Sequence, residues 1–186
     1  MYLRCLSFVA VLGCHRRAEP PAAAPIVSIE VHDATSVVAS LRPDRPCRAS
    51  VGPIELIVGK DPFVAELGET HWTGERGKLG MFFLENGTKV ARVFPEDDPA
   101  SVAVFDPTGV PLVQIQATAT SATVTDGTGH ALRTLTRHGD AIASSQPVTT
   151  VTGTTDLVLA ALITAQELEP EIRMLAACDR VLRKEP

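Results

Sequence analysis

The sequence predicts a mainly β domain of the α+β class: an antiparallel meander of hairpins forming a small sandwich or barrel and ending in two C-terminal helices. Three observations predict it. Short runs in which apolar and polar residues alternate recur from Ile26 to Thr152, as half-buried strands require. Turn signatures rich in Gly, Pro, Asn and Asp separate these runs. After Thr155 the pattern changes to that of a helix. The 186 residues suit one domain around one core, and 45% hydrophobic with 21% charged residues is the balance of a chain that packs. A net charge of -5 gives no basic field of the kind sequence-independent nucleic-acid binding needs, so no nucleic-acid partner is expected. Aromatic residues make up 4% of the chain and Trp72 is its one tryptophan, so the core is expected from Val, Leu, Ile and Ala. Too few rings are left for a stacking platform that reads sugars or bases.

Taken in order, the first element is a leader. Arg4 precedes the apolar run Cys5-Leu6-Ser7-Phe8-Val9-Ala10-Val11-Leu12, which fits the basic and apolar regions of a signal peptide and is too short to span a bilayer. The run ends in Val11-Leu12-Gly13-Cys14, which resembles the lipobox of bacterial lipoproteins: an aliphatic residue at -3, a small one at -1 and an obligatory cysteine. The resemblance implies that Cys14 carries a diacylglycerol thioether, that residues 1–13 are removed, and that the chain is exported and held in the cell envelope by its N-terminal lipid. His15 after the cysteine is compatible with transfer to the outer membrane. Cys5, preceded by Arg4, does not fit the motif. Residues 14–25, with four alanines and three prolines and no hydrophobic period, read as a semi-extended tether.

The β-rich domain is expected over residues 26–153. Val27, Ile29 and Val31 alternate with Ser28, Glu30 and His32, and further strands are expected at 36–41, 54–58, 81–84, 89–94, 101–105, 112–117, 122–125, 131–136 and 148–152. The turns carry more information than the strands. Asn86-Gly87 between two apolar segments is the signature of a type I′ hairpin, because both residues tolerate positive φ. Asp106-Pro107-Thr108-Gly109 has the residues of a type I turn, and Asp126-Gly127-Thr128-Gly129 repeats it twenty positions on, within a shared V-x-D-x-x-G-x-x-L pattern.

Residues 154–186 are expected to form two helices packed on the β domain. Leu157-Val158-Leu159-Ala160-Ala161-Leu162-Ile163, led by Asp156, is apolar on all sides and should be wholly buried. Pro170 suits the first position of a second helix, with Glu169 and Glu171 at its positive end and Arg180, Arg183 and Lys184 at its negative end. Ile172, Leu175, Ala176 and Leu182 form its apolar stripe. The D-x-x-G hairpins followed by an apolar helix loosely resemble tubby-like or scramblase-like barrels over about Met81 to Ala165. The resemblance implies strands wrapped around a central helix and a lipid ligand.

Candidate chemistry is sparse. The densest polar stretch runs from Glu66 to Gly77, where Glu69, His71, Trp72 and Glu75 form a candidate ligand loop. On one helix face His71 and Glu75 would reach a common metal, but the glycines of this stretch oppose a helix, and a surface loop with Trp72 partly buried is the expectation. The two Asp turns lack the Asp-Thr-Gly order of an aspartic protease, and Glu96-Asp97-Asp98-Pro99 lacks the alternating ligands of a calcium loop. No catalytic residue, metal or cofactor is assigned. If Cys5 leaves with the leader and Cys14 carries lipid, Cys47 and Cys178 remain, and an exported chain is expected to pair them. The alternative is a buried Cys178 and a free Cys47. The expectation for function is a membrane-anchored envelope lipoprotein with a non-enzymatic binding or structural role and an envelope protein as partner. The alternatives are a hydrolase or metal-dependent enzyme centred on His71 and a lipid-binding, tubby-like barrel.

Overall fold

The computed structural model describes residues 27–78, 80–95 and 99–184. The leader, the lipobox with Cys14, the whole tether and the acidic turn at 96–98 lie outside the described residues. The described chain forms β1 (Ile29–His32), β2 (Val37–Arg42), β3 (Cys47–Val51), β4 (Ile54–Val58), β5 (Val64–Leu67), β6 (Thr70–Gly77), β7 (Gly80–Glu85), β8 (Thr88–Pro95), β9 (Ser101–Phe105), β10 (Pro111–Ala117), β11 (Ser121–Asp126), β12 (Ala131–His138), β13 (Ala141–Ser145), β14 (Val148–Thr152), α1 (Leu157–Ile163) and α2 (Pro170–Lys184).

Every pairing is antiparallel, and each strand pairs with its neighbours in sequence except at two places. The last strand, β14, returns to pair with the first, Val31 lying opposite Val151. The free edges of the fourteen-stranded sheet are then β4 and β5, which are consecutive and lie side by side. The sheet therefore curls into a nearly closed barrel with one seam, and the choice between sandwich and barrel goes to the barrel. A meander closed in this way leaves only short edges exposed.

Alternation gives the barrel its inner face. Ile29, Val31, Leu41, Leu56, Val113, Ile115, Val124, Leu135, Ile142 and Val151 all point inward and are buried. The turns follow their residue chemistry. Asn86 and Gly87 have φ of 48° and 83°, as the I′ hairpin needs. Asp106 accepts from the Thr108 and Val110 N–H groups and from the Thr108 hydroxyl, and Asp126 does the same with Thr128 and His130, so the two related segments fold into equivalent turns.

Strands β3, β5, β6 and β13 were not expected from the pattern. β3 points Cys47 and Ala49 inward, and β13 reads Ala-Ile-Ala-Ser-Ser. Small residues on these inner positions hide the apolar period while leaving room inside for the helices. The Glu66–Gly77 stretch, expected as a loop, is largely the β5–β6 hairpin, with Trp72 opposite Ala65. Its glycine content has a packing reason: a Cβ on Gly74 would overlap the Phe63 ring, which stacks on Phe83 with centroids 5.8 Å apart.

The helices fill the barrel. All seven residues of α1 are buried, against β10, β11 and β12 on one side and α2 on the other. α2 lies against β2, β3 and β4. Its buried surface is wider than the expected stripe, because Met174, Ala177, Cys178, Asp179 and Val181 are buried as well. Two helices fit one barrel because Ala160, Ala161, Ala176 and Ala177 let the backbones approach.

Candidate functional site

The helical hairpin gives the barrel two distinct ends. α1 runs from the lower end to the upper and α2 runs back, so the start of α1 and the end of α2 share the lower end. At that end the buried carboxylates among the described residues are held in ion pairs, although Arg183 Nε has no acceptor. Asp156 caps α1 by accepting from the Val158 and Leu159 N–H groups, and it also receives Arg180 Nε at 2.7 Å and Nη2 at 2.9 Å. A third Arg180 hydrogen bond goes to the Pro99 carbonyl. Asp179, whose side chain is 2% exposed, lies between Arg183 at 2.6 Å and Arg76 of β6 at 3.1 Å. Cys47, the first residue of β3, is disulfide-bonded to Cys178, with Cα atoms 5.8 Å apart. The expected pairing is therefore made, and it joins the last helix to an early strand.

The upper end is different. Arg133 of β12 is buried and makes a bidentate pair with Glu167, in the turn between the helices, at 2.9 and 2.6 Å. Arg173, in the first turn of α2, is 9% exposed; its backbone N–H donates to the Glu169 carbonyl, but its side-chain Nε has no acceptor and its guanidinium forms no ion pair among the described residues. Burial lowers its pKa from the usual 12.5, and the positive charge of Arg133 lowers it further, against the opposing pull of Glu167. The guanidinium remains charged at any physiological pH. Arg173 lines a cavity of about 270 Å³ whose apolar wall comes from Val31, Val38, Val51 and Ile163. Thr149, also buried, lines the same cavity with its hydroxyl unpartnered.

The stretch singled out from sequence does not assemble into a comparable site. Glu69 is in the exposed β5–β6 turn. His71 is exposed on β6, and its Nδ1 lies 3.8 Å from Glu66, whose side chain is 81% exposed. Its backbone N–H donates to the Asn86 side chain, which ties the hairpin to the next turn. Glu75 shares the strand face with His71, but four residues along a strand separate them by about 13 Å, beyond a shared metal. Trp72 points the other way, into the core, where it is 3% exposed and its Nε1 finds no acceptor. Among the described residues no three His, Cys, Asp or Glu side chains stand together as metal ligands.

The sequence carried only a faint signal for Arg173. It precedes Ala176 and Ala177 by three and four residues and so shares their buried helix face, where an arginine is out of place. Fold and cavity together define a helix-filled antiparallel barrel with a cationic pocket at one end. No family model, curated protein or solved structure matches the chain.

Proposed function

We propose that the protein is an exported bacterial lipoprotein, anchored in the envelope, with outer-membrane delivery, through acylated Cys14, whose barrel has a non-enzymatic binding role toward an envelope partner or ligand. The observation that carries this reading is the Cys47–Cys178 bond, since structural disulfides persist in oxidising compartments and are rare in the cytosol. The lipobox-like Val11-Leu12-Gly13-Cys14 agrees with it independently. Binding is favoured over catalysis by what the polar side chains do: Asp106 and Asp126 close turns, while Asp156, Asp179 and Glu167 hold arginines. An enzyme centred on His71 gains no support from a histidine whose nearest carboxylate is a surface glutamate. A tubby-like lipid binder shares the wrapped helix, but here two helices occupy the central barrel interior that a long membrane-lipid acyl chain would need.

Expression in a diderm bacterium tests the reading. The native chain should partition with membranes, with Cys14 as its acylated N-terminus by mass spectrometry, and Cys14→Ala should block processing or release the protein. Two chains of buried methylenes, at about 0.8 kcal/mol each, make that difference nearly complete. An intact Met1 on the mature protein, or an unacylated Cys14, overturns it.

A further inference from the structure

The upper cavity combines features that a purely structural gap lacks. Its one unpaired charge, Arg173, is more than nine-tenths buried, and its Nε has no acceptor. The nearby carboxylate, Glu167, already receives two N–H groups of Arg133, so the group of two arginines and one glutamate carries a net positive charge. A buried charge without a partner is strongly disfavoured unless something completes it. The Thr149 hydroxyl in the same lining is likewise incomplete. Most of the remaining wall is aliphatic, with Thr164 and Gln166 as its other polar members.

We propose that this cavity binds a small aliphatic carboxylate, with its head on the Arg173 guanidinium and the Thr149 hydroxyl and its chain against Val31, Val38, Val51 and Ile163. The guanidinium fork matches a carboxylate in a bidentate arrangement, and the aliphatic wall gives a hydrocarbon chain a place that a free inorganic anion would leave empty. Size sets the class. A 150 Å³ cavity accepts benzene, so about 270 Å³ holds roughly ten heavy atoms, the size of octanoate. No bond is made or broken, and the site is independent of whether Cys14 carries lipid.

The test is titration of the full chain, its disulfide intact, with octanoate, followed by amide and methyl NMR. Saturable one-to-one binding is expected, with the largest shifts at Thr149, Ile163 and Arg173. Octylamine should not bind, and inorganic phosphate should bind at least about tenfold more weakly, as a lost charge-assisted contact or a lost apolar chain implies. Arg173→Met keeps the stem and removes the charge. It should fold with an unfolding midpoint at or above that of the native protein and lose octanoate affinity about tenfold or more. Ile163→Phe, which retains the charge and fills the cavity, should lose octanoate as well. Absence of saturation by about 1 mM octanoate, or undiminished binding in folded Arg173→Met, overturns the proposal. Phosphate binding as tight as octanoate would mean an anion site without an aliphatic pocket and overturns it too. None of these results bears on membrane anchoring, which fractionation reads separately.

Discussion

The two ends of the helical hairpin are built from the same kinds of residues and finished in opposite ways. At the lower end, Asp156 and Asp179 each hold arginines, and a disulfide fixes α2 to β3. At the upper end, Arg133 has its glutamate but Arg173 forms no ion pair among the described residues, and a cavity remains beside it. Charge pairing that is complete on one side of a core and incomplete on the other is not what stability alone would select, because an unpaired buried charge costs more than an apolar residue of the same size. The difference marks the lower end as the anchor of the fold and the upper end as its place for a ligand.

The largest expected effect comes from opening the anchor. The Cys47–Cys178 bond closes a separation of 131 residues, for which the chain-entropy relation gives about 5 kcal/mol. Cys47→Ser with Cys178→Ser should lower the unfolding free energy in denaturant by roughly that amount. A loss below about 1 kcal/mol would show that the bond does not hold the lower end together.

Next is Asp179. Asp179→Ala leaves Arg183 and Arg76 without their shared carboxylate, and breaking a buried pair from one side costs about 3 kcal/mol. The half-exposed Arg76 can turn to water, so Arg76→Ala should cost less than about 1 kcal/mol. Equal losses for the two variants would contradict a buried anchor centred on Asp179. At the other end the sign reverses: Arg173→Met should raise stability by about 1 kcal/mol in the absence of ligand. A clear destabilisation by thermal and denaturant unfolding would mean that the upper end is as fully paired as the lower.

The smallest effect concerns the exposed upper turns. Hydrogen bonds from the Thr108 and Thr128 side chains, followed by those from the Val110 and His130 backbone, lower the pKa values of Asp106 and Asp126 below 3.8. A lowered folded-state pKa gives stability that is present above the unfolded value and lost as pH falls through the folded one. Stability should therefore decline slightly from about pH 4 downward. The double variant Asp106→Asn, Asp126→Asn, which keeps an acceptor but cannot titrate, should flatten that part of a stability-versus-pH curve. An unchanged slope would show that these turns do not contribute to it.

Much of this was legible in the sequence, and the reasons are local. Alternation over a few residues located most of the strands, because side chains on a pleated backbone must take opposite faces. Asn86-Gly87 and the repeated Asp turns were readable because their φ values and side-chain acceptors are settled within four residues. The buried α1, capped by Asp156, and the start of α2 at Pro170 were readable for similar reasons. Strands β3, β6 and β13 escaped because alanine, serine and glycine on their inner or crowded positions carry no apolar period, and the need for small residues there is imposed by Phe63 and the helices. The cysteine count indicated which thiols pair, while only the fold placed that bond at the lower end. Sequence by itself thus determined the elements, their turns and the two-helix ending. Tertiary structure decided that β14 returns to β1 and closes the barrel, that Asp179 meets Arg76 across 103 residues, and that Arg173 is buried with no ion pair among the described residues. Those outcomes depend on register and curvature accumulated over fourteen strands, which no short window of the chain contains.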